Sequence, residues 1–316
     1  MVKKLALEGV LADFANIDRL LSSRDAMSDP IGFMQLSNRK KKLLSAIEEI
    51  ETTPELRASV ALFFAGEPVI GSRGIRIDFA GKMIGLFQDL VSKQFASEEI
   101  GDIGLRGPVP LKQNSDLLMT DIARGSVGVV LEEADQNNVV TETQLKIVVD
   151  HVTDAIVAAS SVDPEKFEEL LENVDHRFLS TMSSMFTLLD DERATTRIVE
   201  GEKDVQLDTY AIRRAKDRTT SAHITEKESD DYMGRFFLLP AHKKFELVKQ
   251  DGGGTIYGSV SPEFAKGRLE KLLDDGDVAG HNWRVKLKVR TVLRPNREPK
   301  NSYVLMSLIE KIPSHK

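Results

Sequence analysis

The order of periodic segments in the last third of this chain limits its fold more than any other feature. Met233–Leu239, Lys244–Lys249 and Thr255–Val260 read as three strands, the third entered through Gly252-Gly253-Gly254. Ser261-Pro262-Glu263 then opens a helix through Phe264, Leu269, Leu272 and Leu273, with Ser261 as its cap and Pro262 at its first position. Strands at Trp283–Leu293 and Ser302–Ile309 follow. Three strands, a helix and two strands predict a small five-stranded barrel with one helix, OB- or SH3-like; an open sheet backed by one helix gives a similar string.

Charge sets this region apart. Residues 232–316 hold 16 Lys+Arg against 9 Asp+Glu, a net of +7, while residues 1–231 hold 27 against 41, a net of −14. Such asymmetry marks a basic module meant for a polyanion, or two faces meant for each other. Along Trp283–Leu293, Val285, Leu287, Val289 and Thr291 point one way and Arg284, Lys286, Lys288 and Arg290 the other. A phosphate backbone relieves the repulsion of four like charges and releases its counterions, and Arg294, Arg297 and Lys300 extend the track. A solvated outer face, or an edge strand guarded against aggregation, carries the same pattern. Single-strand binding also calls for exposed aromatics, for which Tyr257, Trp283 and Tyr303 are the candidates. The same cations can instead dock on Glu165, Glu168, Glu169, Glu172 and Asp190-Asp191-Glu192 of this chain or a second copy. Ion pairs alone make such docking weak and salt-sensitive.

Upstream, helical stripes run through Leu7–Leu21 and, after Asp29-Pro30, through Leu36–Ile50. Leu56–Phe64 alternates as a strand, and a helix follows through Phe79–Val91. Asp116–Ile122 and Val127–Leu131 form a hairpin. Leu145–Ile156 and a long segment from Asp163-Pro164 to Leu189 are two helices; a strand at Ala194–Val199 and a helix at Asp208–Lys216 complete this part. The mixture predicts α+β architecture, with three or four strands covered by helices. Asp217–Asp231 holds almost no large apolar residue. The expected organisation is therefore an α+β scaffold and interaction domain over residues 1–216, a polar linker over 217–231, and the basic barrel over 232–316.

Motifs for chemistry are sparse. The chain has no cysteine, which excludes disulfides, thiolate metal sites and Cys nucleophiles. None of its six histidines stands at i, i+4 from another, and H-E-x-x-H, G-x-S-x-G and kinase signatures are absent. Asp150, His151 and Asp154 share a helix, where exposed acidic positions explain them without a metal. The loop Gly66–Gly74, with Ser72, Arg73 and Gly74 ahead of a helix, is a candidate anion-binding loop, as is the turn Arg124-Gly125-Ser126. A P-loop's Lys-Ser/Thr ending is missing from the first. No cofactor is expected. The apolar run after Met1-Val2-Lys3-Lys4 is interrupted by Glu8 and Asp13, and no run approaches about 18 apolar residues, so a cytoplasmic protein without membrane contact is expected.

The residues thus point to a non-enzymatic, macromolecule-binding protein that recognises its partner through the barrel. A protein partner or self-association comes first. Nucleic acid held by strand 284–290, with Arg294, Arg297, Tyr257 and Trp283, is the alternative. An enzyme with its site near loops 66–74 and 124–126 is the third reading.

Overall fold

The computed structural model describes residues 2–71, 73–101, 103–104, 106–123, 127–134, 139–239, 244–250, 252–261, 264–265, 280–293 and 298–313. Helices α1 (Lys3–Ser22) and α2 (Pro30–Thr52) form a hairpin. Asp29 caps α2 by accepting from the Gly32 amide, with Pro30 in the first turn. Surface ion pairs tie α2 to α1: Lys40 pairs with Asp18 at 2.5 Å and Arg39 with Asp13 at 3.5 Å.

A five-stranded sheet follows, built from β1 (Ser59–Gly66), β4 (Leu117–Ala123), β5 (Val127–Glu133), β6 (Ala194–Glu200) and β7 (Lys203–Leu207) in the order β4-β5-β1-β6-β7. The two-residue strands β2 (Val69–Ile70) and β3 (Gly74–Ile75) pair as a separate hairpin. The main sheet is antiparallel throughout. One face carries the main core, covered by α3 (Ile77–Ile100), α4 (Gln144–Ser160), α5 (Pro164–Asn173), α6 (His176–Asp191) and α7 (Thr209–Ser221). On the other face Val2 and Leu5 cover Ala61, Phe63, Val130 and Val199. Central β1 is therefore buried on both faces from Ser59 to Phe64, where alternation in the sequence suggested one.

Three further expectations change. The single helix expected from Pro164 to Leu189 is two, because Asp175 leaves the helix and accepts from the Phe178 amide as the cap of α6. A short strand, β7, follows β6 through a turn that holds Gly201 at φ +55°. The third change concerns the linker. Residues 217–221 end α7, and residues 223–231 are the first half of a 17-residue strand, β8 (His223–Leu239). They are polar because this half of β8 gives one side to solvent and sets carboxylates beside basic neighbours.

β8, β9 (Lys244–Lys249), β10 (Thr255–Val260), β11 (Asn282–Leu293) and β12 (Lys300–Ile312) close a five-stranded barrel in the order β10-β12-β11-β8-β9. β10 and β12 run parallel, and the other pairings are antiparallel. Phe236, Phe245, Leu247, Ile256, Val285, Leu287 and Leu305 fill its interior. Gly258 lets β10 approach β12, since a Cβ there would meet the Tyr303 carbonyl oxygen at 2.3 Å. Ser261 accepts from the Phe264 amide at 3.3 Å, as its expected capping role requires; most of the helix read from the sequence lies outside the described residues.

Taking the barrel from its first strand changes its charge. Residues 223–316 hold 17 Lys+Arg against 13 Asp+Glu, so the excess falls from +7 to +4.

Candidate functional site

The β11 cations do not form one exposed row. Arg284 donates to the Asp230 carbonyl (3.1 Å) and pairs with Glu310 (3.2 Å), and Lys286 pairs with Glu228 (2.6 Å). Lys288 and Arg290 are buried, at 8% and 7% exposure, with Glu226 at 3.6 Å and 4.0 Å. Acids of β8 and β12 thus answer the repulsion that the sequence assigns to a phosphate backbone. Lys300 pairs with Glu172 of α5; Arg294 and Arg297 lie outside the described residues.

One end of the barrel docks on the helical part. Ile224 of β8 and Val292 of β11 belong to the main core, and Arg290 donates from Nη1 to the Glu172 carbonyl at 3.1 Å. Apolar burial here supplies what ion pairs alone do not.

Beside this contact is a cavity of about 320 Å³. The barrel contributes Glu226, Ser259, Lys288, Arg290, Val304 and Met306; the C-terminal end of α3 and the α5–α6 junction close it from the other side. Two of its polar groups are incompletely bonded. Arg290 has no hydrogen-bond partner at Nε or Nη2, and the Asp175 Oδ2 has none. Burial pushes the Asp175 carboxyl above its ordinary range, against the pull of the Phe178 and Arg177 amides and the Arg290 and Arg177 guanidiniums.

The outward side of β8, β9 and β10 is a different surface. Register aligns Phe237, Glu246 and Tyr257 in one row and Arg235, Val248 and Thr255 in the next. Tyr257 is 65% exposed, and the Arg235 guanidinium lies 5.7 Å from the Phe237 ring centre. Met233 and Val248 are also exposed. Trp283 and Tyr303, by contrast, pack against the barrel core. Ser259, the next outward residue of β10 after Tyr257, lines the cavity, so the open face leads directly to it.

The other candidate loops contribute less. Arg73 and Gly74 belong to the β2–β3 hairpin, whose turn is held by the Arg73 amide donating to the Ile70 carbonyl at 3.0 Å. Ser72, Arg124 and Ser126 lie outside the described residues. Val127, the first residue of β5, pairs with Phe64 near the end of β1. Asp150 and Asp154 both pair with Lys203, at 2.5 and 2.6 Å, and His151 meets Glu98 at 2.7 Å. Among the described residues no group of three or more His, Asp or Glu side chains is arranged to hold a metal ion, and no helix is long and apolar enough to cross a membrane.

A second buried ionic cluster escaped sequence reasoning because its members are distant in the chain. Lys146 of α4 pairs with Glu200 at the end of β6, both buried. Burial raises the Glu200 carboxyl to about 7 despite the Lys146 ammonium, and neighbouring Asp150 adds to the rise. Burial likewise raises Glu55, both of whose side-chain oxygens lack a partner. A raised folded-state pKa means that the native chain holds the proton more tightly than the unfolded chain. The Glu200 contribution to stability is therefore full below pH 4.5 and is lost as pH rises to about 7. Urea midpoints from pH 5 to 8 are expected to fall with this titration, and less steeply in Glu200→Gln; equal slopes would remove Glu200 as the cause.

Comparison with family models, curated proteins and solved structures finds no match for the chain.

Proposed function

We propose that the chain is a macromolecule-binding protein that takes a single-stranded nucleic acid across the outward face of β8, β9 and β10. The observation that carries this reading is Tyr257, an aromatic ring 65% exposed on the barrel surface and aligned with the Arg235–Phe237 stack. Tyrosine rings offer a stacking surface to any base, worth about 1–3 kcal/mol per base. The strand order supports the same ligand. β8-β9-β10 is a meander, β12 returns parallel to β10, and β11 closes against β8. We read this order as OB-type rather than SH3-like, and in an OB-type barrel the second and third strands carry the ligand face.

The electrostatics favour bases over phosphates. Arg235 and Lys244 lie on this face, but Glu246 stands directly across from Tyr257. With two phosphate contacts, log K is expected to fall with log salt at a slope of only about −1.4. Fluorescence anisotropy of the full chain with single-stranded DNA and RNA homopolymers tests the proposal. Tyr257→Ala is expected to weaken binding about tenfold or more while leaving the melting temperature unchanged. Unaltered affinity in that variant contradicts this face as the site. If the chain binds no strand at low salt and instead binds a peptide across the same face, the ligand assignment fails and only the surface stands.

A further inference from the structure

We infer that the cavity between the barrel and the helical part is a nucleobase pocket, selective for guanine. The inference rests on the proposed single-strand reading only for the source of the base, since a free guanosine nucleotide presents the same edges. At about 320 Å³ the cavity falls within the size range of small-molecule sites. Val260, Val304 and Met306 supply apolar wall for the flat faces of a ring.

The polar requirements of the site are specific. Arg290 is 7% exposed, is fixed through Nη1 on the Glu172 carbonyl, and keeps Nε and Nη2 unpartnered. Those two N–H groups form one edge of the guanidinium and match a pair of adjacent acceptors. Asp175 spends Oδ1 on the α6 cap and keeps Oδ2 free, an acceptor that awaits a donor. Glu226 does not satisfy Arg290, because its Oε1 stands 4.0 Å from Nε, beyond hydrogen-bonding distance.

A simple anion is a poor ligand, since Glu172, Asp175 and Glu226 line the same cavity. A simple cation meets Lys288 and Arg290. An uncharged planar ring with two adjacent acceptors on one edge and donors on another meets both demands. Guanine has O6 and N7 for the arginine fork and N–H groups for the carboxylate; adenine sets a donor beside N7, and pyrimidines lack N7. The position fits a strand lying across Tyr257, because the next outward residue of β10, Ser259, lines the cavity.

Calorimetric titration of the full chain with guanosine monophosphate and adenosine monophosphate, and with oligo(dT) carrying or lacking one guanine, tests the inference. Guanosine monophosphate is expected to bind at least about tenfold tighter than its adenosine counterpart, the discrimination of a good bidentate pair. Arg290→Lys and Asp175→Asn are each expected to abolish that preference. Asn keeps the α6 cap, so the second variant serves if the first does not fold. Equal affinity for the two nucleotides, or retention of the preference in Asp175→Asn, overturns the pocket. Guanine selectivity without binding of any strand keeps the pocket and refutes the single-strand reading. Strand binding indifferent to guanine, with no free nucleotide bound, does the reverse.

Discussion

Lys146→Met is expected to destabilise the fold by about 3–5 kcal/mol, the cost of removing one partner from a buried ion pair. Lys146 lies in the first turn of α4, whose cap is Thr143, and reaches Glu200 at the end of β6. Glu200 is 1% exposed and cannot turn to water when the ammonium is lost. Its carboxyl is already raised to about 7, so at lower pH the variant escapes part of the cost by binding a proton. The loss should therefore be larger at pH 8 than at pH 5.5. Lys146→Met with Glu200→Leu removes both charges and is expected to recover most of the stability, since an apolar pair of similar size replaces a desolvated ionic one. Urea unfolding of the two variants measures this directly. A cost below about 1 kcal/mol in the single variant is the value for a solvated pair and contradicts the burial.

Truncation has a still larger expected effect. A chain starting at Tyr232, where composition places the barrel, should show no cooperative unfolding transition. It lacks residues 223–229, which make seven of the eleven pairings between β8 and β11. The loss leaves an open edge opposite Leu287–Leu293 and removes the carboxylates facing Lys286, Lys288 and Arg290. A chain starting at His223 keeps all five strands but exposes Ile224 and Val292, which pack in the main core of the intact protein. It should fold only weakly and self-associate through that end. Thermal melts followed by circular dichroism distinguish the cases, and a cooperative melt from the shorter fragment contradicts the account of β8.

Much of the architecture was legible because it rests on local pattern. β9 and β10 lie where their sequence places them, and each of the other three barrel strands contains a segment of strand periodicity. Asp29-Pro30 and Asp163-Pro164 mark helix starts through capping, which depends on a few adjacent residues. The same signal stood at Asp175, but the apolar stripe from Phe167 to Leu189 runs through the break and hid it. What failed depended on partners distant in sequence. Polar residues 223–231 look like a linker until β11 sets its cations beside them. Lys288 and Arg290 look like surface charges because Glu226 and Glu172, which accommodate their burial, are distant in the chain. Tyr257 is a stacking candidate from its sequence, but periodicity cannot say which face of a strand is left open. Register does: Ile256 goes into the barrel and Tyr257 out.

Photocrosslinking gives the most direct test that the β8–β9–β10 face receives a single strand. A bromouridine-substituted RNA is irradiated with the full chain, and the attached peptides are mapped by mass spectrometry. Adducts concentrated on Tyr257 and Phe237, and lost on competition with unlabelled strand, are the expected result. Adducts confined to the helical part, or none under conditions where a control single-strand binder is labelled, would contradict it.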